Sequence, residues 1–381
     1  MKRVRIKSSY KKKKRKNKIV EEKIIIVNPI IFLIIKLLII VFFFLIKKYF
    51  EIKVNYSKIQ NNLFEINNSI SNNSFKNDLN YINQRFIDNK KELKYNNLNN
   101  HYHYCFCVMG KLENRYTREL ISYYMSIGVD KFVIADNNLP DTEKISDVVK
   151  DYIENNTVDI IDIIGKSYDH SQFLEIMYEK YMDKCEWLLF FDFDEYLRMH
   201  SEDGKIIGLK EYLSNKIFDK CEAIVFNWLM HDDNNLVYYD NRTSIERFPN
   251  PLYKHGANGY VKPMVRGKLN KTIFTAFKNN HCPNKEVITC DSMGKIHSNL
   301  KDHINPPLFK YAYLMHFNTR TAEEFILKVK RGYTGNRYEK LSSRVKSFFN
   351  KNKFTEEKLK LFEKSCNHSL DDIRKMYNKK K

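Results

Sequence analysis

Two carboxylates that follow an apolar run are the side chains of this sequence best suited to chemistry. Asp192 and Asp194 come directly after WLLFF, a run typical of a buried strand, and Glu195 is next. Because residues i and i+2 of an extended chain point to the same side, both aspartates can face one point. Paired carboxylates suit Mg²⁺ or Mn²⁺ together with diphosphate oxygens, and such a cation neutralises the charge on a departing nucleoside diphosphate. The alternative is an ordinary solvated acidic turn.

A second polar group follows another apolar run. Asp136, Asn137 and Asn138 come after the strand-like segment 131–135. In an open α/β sheet, ligands bind beyond the carboxyl ends of the strands. We therefore expect this group and the acidic pair to lie at one edge of a sheet.

Strands and helices that would position these groups alternate along the chain from residue 103. Apolar runs predict strands at 103–109, 131–135, 158–164, 187–191, 223–229 and 237–239. Apolar positions at helical spacing predict helices at 115–127, 141–155 and 171–182. A capping box at Thr321 and Glu324 opens a last helix that ends near Gly332. The alternation indicates an α/β fold with a parallel sheet.

The net charge of +20 is concentrated at the two ends of the chain. Residues 1–53 carry +13, residues 351–381 carry +5, and the residues between them only +2. A folded nucleic-acid-binding domain would have its basic residues in that middle part. No nucleic-acid partner is therefore expected.

The basic N-terminus precedes a segment that predicts a membrane anchor. Residues 24–46 contain twenty apolar side chains, and about 20 such residues span a bilayer. The excess of Lys and Arg before this segment places that side in the cytosol, against anionic lipid heads. We predict a single-pass type II protein with its domain in the lumen of the Golgi, the endoplasmic reticulum or an equivalent compartment. Its parts are a basic cytosolic arm (1–23), an anchor (24–46), a stem (47–102), a folded domain (103–335) and a basic tail (336–381).

The cysteines bear on metal binding and on the compartment. None of the seven belongs to a CxxC pair, so no zinc site is predicted. In an oxidising lumen some of them could form disulfides, and the odd number leaves at least one unpaired.

An ordered set of short motifs extends over residues 103–335. These are KLENRYTRELISYY at 111–124, GVDKFVIADN at 128–137, DFDE at 192–195, NW at 227–228, ERF at 246–248, KPMVR at 262–266, His281, LMHF at 314–317, EEF at 323–325 and KRG at 330–332. Together they resemble glycosyltransferase family 92 and the related family 2-like domains of the GT-A fold. The glycine-rich stretch of that pattern, after Trp228, is replaced here by LMHDDNN.

The resemblance implies a GT-A-like, Rossmann-type, mostly parallel sheet flanked by helices. It also implies transfer of a sugar from a nucleotide sugar, expected to be a UDP-sugar, to a hydroxyl of a glycan or glycoprotein, with Mn²⁺ or Mg²⁺ bound. Asp194 would be the principal metal ligand and Asp192 would contact the metal, a metal-bound water or the ribose. Asp136 and Asn137 would contact the nucleotide. His316 would be a further ligand of the metal or the diphosphate.

Other polar residues of these motifs are candidates for binding and proton transfer. The cations that could bind the diphosphate, rather than lie in solvated basic loops, are Arg115, Lys262 and Arg266. An inverting transfer needs a general base near the acceptor hydroxyl, whereas a retaining transfer does not. The carboxylates available as this base are Asp232, Asp233 and Glu246. The alternatives are a catalytically inactive, membrane-tethered glycan-binding or scaffold protein of the same fold, and a metal-dependent phosphohydrolase.

Overall fold

The computed structural model describes residues 101–164, 166, 170–269, 276–332 and 340–378. The predicted arm, the membrane anchor and all but the last two residues of the stem lie outside these ranges. Within them, no helix is both long enough and apolar enough to cross a membrane.

The described part of the chain alternates strands and helices. The strands are β1 (Tyr102–Gly110), β2 (Lys131–Asp136), β3 (Val158–Asp162), β4 (Cys185–Leu189), β5 (Glu195–Met199), β6 (Ala223–Met230), β7 (Val261–Arg266), β8 (Phe277–Asn279), β9 (Cys282–Pro283), β10 (Thr289–Asp291), β11 (Ile296–His297) and β12 (Ala312–His316). The helices are α1 (Asn114–Ser126), α2 (Ile145–Val148), α3 (Lys150–Glu154), α4 (His170–Tyr181), α5 (Leu209–Leu213), α6 (Ser244–Arg247), α7 (Ala322–Lys330), α8 (Leu341–Phe349), α9 (Glu356–Cys366) and α10 (Asp371–Asn378).

One large sheet organises these elements, with the strand order β11-β10-β6-β7-β4-β1-β2-β3. The half formed by β4, β1, β2 and β3 is parallel throughout, as the alternation of strands and helices predicts. β7 runs antiparallel between β4 and β6. β12 pairs in parallel with β6 and antiparallel with β5, which places the end of β12 beside the start of β5.

Helices cover both faces of the parallel half. Successive side chains of β1 alternate between two hydrophobic clusters, with Phe106 in one and Cys107 in the other. Helix α1 packs into the first cluster and α4 into the second. Because both faces are covered, β2 is buried at every position. The carboxyl ends of the strands are therefore the edge at which polar residues of the sheet can meet a ligand.

Helix α1 ends as its sequence predicts. Gly128 has a φ of +111°, a conformation that a side chain disfavours. Its N–H donates to the carbonyl of Met125, and the N–H of Val129 donates to the carbonyl of Tyr124. This pair of bonds satisfies the last carbonyls of the helix and returns the chain into β2.

Two predicted elements differ from the structure. The helix predicted at 141–155 is divided into α2 and α3, with Val149 between them at φ −120°. The strand predicted at 237–239 is absent because that backbone bonds to a helix end instead. Val237 accepts from the N–H of Glu323, and the N–H of Tyr239 donates to the Glu323 carboxylate.

The C-terminal segment belongs to the folded domain. Helices α8 to α10 pack on α7 around a third hydrophobic cluster, which includes Phe325, Phe348 and Phe362. Lys358 of α9 forms a fully buried ion pair with Asp233, in the loop after β6, at 2.5 Å. The segment from 340 to 378, which the sequence predicts to be part of a basic tail, therefore packs against the rest of the domain.

Two disulfides tie neighbouring strands. Cys105–Cys185 links β1 to β4, and Cys221–Cys290 links the segment before β6 to β10. The three remaining cysteines are unpaired, so the chain has an unpaired cysteine as its odd number requires.

Candidate functional site

The acidic residues form a tight turn between β4 and β5. The N–H of Asp192 donates to the Glu195 carboxylate at 2.8 Å, and the N–H of Glu195 donates back to the Asp192 carbonyl at 3.1 Å. The Asp192 side chain keeps 36% of its surface exposed, whereas Asp194 is nearly buried. The turn therefore presents one carboxylate outward and holds the other at its wall.

A buried lysine supports the outer carboxylate. Lys262 is placed below the turn because β7 pairs with the end of β4, and its Nζ lies 2.8 Å from Asp192 Oδ2 and 3.9 Å from Glu195 Oε1. Burial alone would raise the pKa of the Asp192 carboxyl, but the charges of Lys262 and His170 outweigh it and hold that pKa at about 2. Burial and the two aspartates raise the pKa of Glu195 well above its usual value. The turn therefore carries its negative charge on the aspartates.

The inner carboxylate meets a histidine and a second lysine. Asp194 Oδ2 lies 3.6 Å from His316 Nε2, because β12 places His316 opposite Glu195. The Nζ of Lys328 in α7 donates to the same oxygen at 2.6 Å. Despite its burial, the Asp194 carboxyl has a pKa well below its usual value, since Lys328 and His316 favour the anion. Burial lowers the pKa of His316, which favours its neutral imidazole.

An arginine fixes the residue between the two aspartates. Arg320 donates from Nη2 to the Phe193 carbonyl at 3.0 Å and from Nη1 to Glu113 Oε2 at 2.9 Å. Its guanidinium also lies 3.5 Å from the ring centre of Tyr116. Arg320 adopts a φ of +49°, a left-handed conformation that non-glycine residues other than Asn, Asp and His seldom adopt. The contact with the Phe193 carbonyl holds the turn at Phe193, whereas Lys262 holds it at Asp192.

The Asp136 loop lies at the same edge of the sheet. Both oxygens of the Asp136 carboxylate accept backbone N–H groups, from Asn138 at 3.0 Å and from Ile145 at 2.7 Å. A Cβ built on Gly110, at the end of β1, would lie 2.8 Å from the ring of Phe193. The end of β1, which pairs with Asp136, is thus in close contact with the acidic turn, and Asp136 shapes its own loop.

The metal ligands implied by the sequence are only partly assembled. Among the described residues, no group of three or more His, Cys, Asp or Glu side chains is arranged to hold a metal ion. Asp194 and His316 provide one oxygen and one nitrogen close together. Such a pair can hold a hard cation when substrate phosphates and water complete its coordination.

Comparison with protein families identifies this architecture. The model of glycosyltransferase family 92 matches residues 100–375, which includes the acidic turn, His316 and the helices after residue 340. The chain belongs to glycosyltransferase family 92. This glycosyltransferase therefore contains the C-terminal helices as part of its family domain.

Solved structures resemble this glycosyltransferase more remotely. The crystal structure of S. aureus TarS aligns with a TM-score of 0.29 and 14% identity, over 45% of this chain and 29% of that one. The structure of TarS 1–349 in complex with UDP-GlcNAc aligns with a TM-score of 0.28 and 13% identity, over 45% of this chain and 47% of that one. The chain thus spans under half the length of these solved structures. The comparison with curated protein sequences found no match.

Of the cations predicted to bind diphosphate, only Lys262 reaches the acidic turn of the family 92 domain. Arg266 lies at the other end of β7, where it donates to the carbonyl of Cys221 at 2.7 Å and stacks on Trp187. Arg115 is exposed, with its guanidinium 4.5 Å from the ring centre of Tyr239. Neither arginine belongs to the site as the structure assembles it.

The three candidate bases have different surroundings in this glycosyltransferase. Asp233 is buried in its ion pair with Lys358. Glu246 accepts from the N–H and the hydroxyl of Thr243 as the partner of a capping box that opens α6. Asp232 is half-buried beyond the end of β6. Of the three, Asp232 is the carboxylate that is neither in a buried ion pair nor the partner of a capping box within the described ranges.

Three site residues were not predicted from the sequence. Lys328 lies one turn after Glu324 in α7, a spacing that is typical of a solvated ion pair, so its sequence context does not mark it as a site residue. Arg320 and Glu113 are more than 200 positions apart, so no local pattern links them. The capping box at Thr321 and Glu324 is a sequence signal close to these residues. It fixes the start of α7 and therefore the direction of Lys328.

Proposed function

We propose that this chain transfers a sugar from a UDP-sugar to a hydroxyl group of a glycan or glycoprotein. The observation that carries the proposal is that Asp192 and Asp194 each form an ion pair with a lysine at the ligand-binding edge of a parallel sheet. The chain in which they do so belongs to glycosyltransferase family 92. The rigid turn would receive the diphosphate, and the neighbouring loop of Asp136 and Asn137 would receive the nucleoside.

The protein groups act by binding and by electrostatics. In the transfer, the bond between the sugar C1 and the diphosphate oxygen breaks, and its electron pair leaves with UDP. Positive groups aimed at this oxygen lower the barrier because charge develops there. Lys262 and Arg320 hold the turn in one geometry, so that little reorganisation is needed when the charge appears.

Asp232 is the proposed general base of an inverting transfer. Its hydrogen bonds within the described residues go to Oδ1, from the N–H of Asn234 and from the side chain of Asn250. Oδ2 would take the proton of the acceptor hydroxyl as the acceptor oxygen bonds to C1. Met230, two residues before Asp232, pairs with His316, so this carboxylate follows the strand next to the site.

Asp194 and His316 are the proposed protein ligands of Mn²⁺ or Mg²⁺. A neutral imidazole and an ionised carboxylate are the forms that a metal requires, and the surroundings favour both. When bound, the metal would stabilise the negative charge of the leaving diphosphate as a Lewis acid.

The proposed location is the lumen of a membrane compartment, with the chain anchored by residues 24–46. The two disulfides support this location, because disulfides persist in secretory compartments and are rare in the cytosol. Protease protection of the domain in sealed vesicles tests it, and digestion of the domain without detergent would contradict it.

The decisive experiment is a screen of UDP-sugars with the full chain in detergent and Mn²⁺, with released UDP as the signal. Asp194→Asn should abolish UDP release, and Asp183→Asn, at an exposed turn, is the matched control. Circular dichroism of both variants checks the fold. Unchanged UDP release by Asp194→Asn would reject the site, and no turnover or UDP binding by the wild type would favour the inactive scaffold.

A further inference from the structure

The helices after residue 340 reach the site through one lysine. Lys351 follows α8, and its neighbour Asn352 is buried. The Asn352 side chain accepts from the N–H of Asp233 at 2.7 Å and donates to the Phe348 carbonyl at 3.0 Å. Phe348 in turn packs on Phe325 of α7 with ring centres 5.1 Å apart. The hydrophobic core thus holds the backbone on which Lys351 lies.

Two ammonium groups meet at Asn318. Lys328 donates to its backbone carbonyl at 3.0 Å and to Asp194 at 2.6 Å. Lys351 donates to its side-chain oxygen at 3.0 Å. The Asn318 amide nitrogen lies 3.5 Å from His316 Nε2. Asn318 therefore brings Lys351 close to the ion pair of Lys328 and Asp194.

The charge of Lys351 is not balanced by a carboxylate of the domain. Its hydrogen-bond partner is an uncharged amide, and among the described residues no carboxylate lies within ion-pair distance of it. Burial, together with the charges of Lys328 and Arg344, lowers the pKa of Lys351 to about 8. Holding a cation in such a place costs free energy unless an anion joins it. The cluster therefore has surplus positive charge next to Asp194.

We propose that Lys351 and Lys328 form the binding site for the diphosphate of the donor, so that the C-terminal helices complete the nucleotide-sugar site. This inference rests on the proposed function. Diphosphate oxygens can accept from both ammonium groups, and such charge-assisted hydrogen bonds are short and strong. Asn318 contacts both lysines and so holds them beside Asp194.

The experiment measures binding of inorganic pyrophosphate, UDP and uridine to the full chain in detergent, with and without Mn²⁺. Lys351→Met removes the charge, Lys351→Arg keeps it, and Lys346→Met is a control at an exposed position of α8. Lys351→Met should weaken pyrophosphate and UDP binding roughly 10- to 100-fold, the range for one charged hydrogen bond. Uridine affinity should not change, Lys351→Arg should recover most of the loss, and Lys346→Met should match the wild type.

Each other outcome decides between the two proposals. Equal pyrophosphate affinity in wild type and Lys351→Met, or no pyrophosphate binding by the wild type, overturns the diphosphate site. A parallel loss of uridine affinity also overturns it, since the lysine would then only support the fold. If the wild type binds pyrophosphate through Lys351 but binds neither UDP nor uridine, the diphosphate site stands and the proposed donor falls. UDP binding that needs Asp194 but not Lys351 leaves the proposed function intact and rejects this inference.

Discussion

Replacing Lys262 with methionine tests whether the acidic turn depends on its buried cation. The ammonium group lies 2.8 Å from Asp192 and has almost no solvent exposure. Methionine fills a similar volume without the charge. We expect the variant to unfold more easily at neutral pH, because Asp192 and Asp194 then repel each other with no cation between the turn and the sheet.

The magnitude follows from the distance and the exposure. At 2.8 Å, two unit charges in a medium of effective dielectric constant about 20 attract by about 6 kcal/mol. Solvent screens part of this because Asp192 is 36% exposed. Methionine also avoids the desolvation cost of the lysine, so the expected net loss is about 3 kcal/mol, the lower end for a broken buried pair.

The stability that Lys262 provides depends on pH, and the pKa of Asp192 sets the direction of this dependence. In the wild type the pKa of Asp192 is about 2, below its ordinary 3.8, so the pair stabilises the fold above pH 3.8 and this stabilisation is lost as the pH falls through 2. Without Lys262, burial and the neighbouring carboxylates raise the pKa of Asp192. The carboxyl then takes up a proton more readily, and the deficit of the variant shrinks as the pH falls toward about 4.

Urea unfolding of the full chain in detergent measures this deficit. The chain has two tryptophans, Trp187 in β4 and Trp228 in β6, and both report on the domain by fluorescence. Lys285→Met, at an exposed position, is the matched control. A loss below about 1 kcal/mol near pH 7, or a loss of equal size near pH 7 and pH 4.5, would refute the assigned role of Lys262.

Four further substitutions test other parts of the site. Arg320→Lys should lower UDP release at least about 10-fold with the fold retained, because lysine cannot donate to the Phe193 carbonyl and to a carboxylate at the same time as a bidentate guanidinium does. Circular dichroism checks the fold and UDP release checks the activity. Turnover equal to that of the wild type would contradict the prediction. Gly110→Ala should destabilise the domain by about 1–3 kcal/mol in urea unfolding, because the new Cβ would overlap the Phe193 ring. An unchanged urea midpoint of unfolding would show that the ring moves aside. Asp232→Asn should reduce turnover at least about 100-fold, because it removes the proposed base. Glu246→Gln should lower the free energy of unfolding by only about 1 kcal/mol, because it weakens a helix cap. If Glu246→Gln reduced turnover more than Asp232→Asn did, Glu246 would be the base instead.

The parallel half of the sheet and the position of the acidic turn could be predicted from the sequence, because local patterns determine both. An apolar run that ends in DFDE indicates a strand followed by a polar turn, and Gly128 marks a helix end through its own conformation. The alternation of strands and helices then requires that the strand ends meet at one edge. His316 was found through the resemblance, and β12 brings it to Asp194.

The site cations could not be predicted in the same way, because strand register decides their positions. Lys262 and Arg266 are four residues apart in KPMVR, and the sequence predicts both as candidates to bind the diphosphate. In a strand that rises about 3.3 Å per residue, this spacing separates them by about 13 Å. Lys262 pairs opposite Phe226, near the ligand-binding edge, while Arg266 pairs opposite Trp187, at the start of β4. The pairing of β7 with β4 is a long-range contact that composition does not encode.

The C-terminal helices show why the net charge of a segment does not predict its exposure. Residues 351–381 carry +5, which favours a solvated tail. Yet Leu359 and Phe362 are three residues apart and both buried, so α9 presents an apolar stripe to α7 while its other face holds the charges. Lys358 lies on the buried side because Asp233 balances it. A lysine at the chain end is therefore solvated, paired or directed at a ligand according to its position in the helical period and its partners. The hydrogen-bond partner of Lys351 is an uncharged amide, and pyrophosphate binding tests whether this lysine is directed at a ligand.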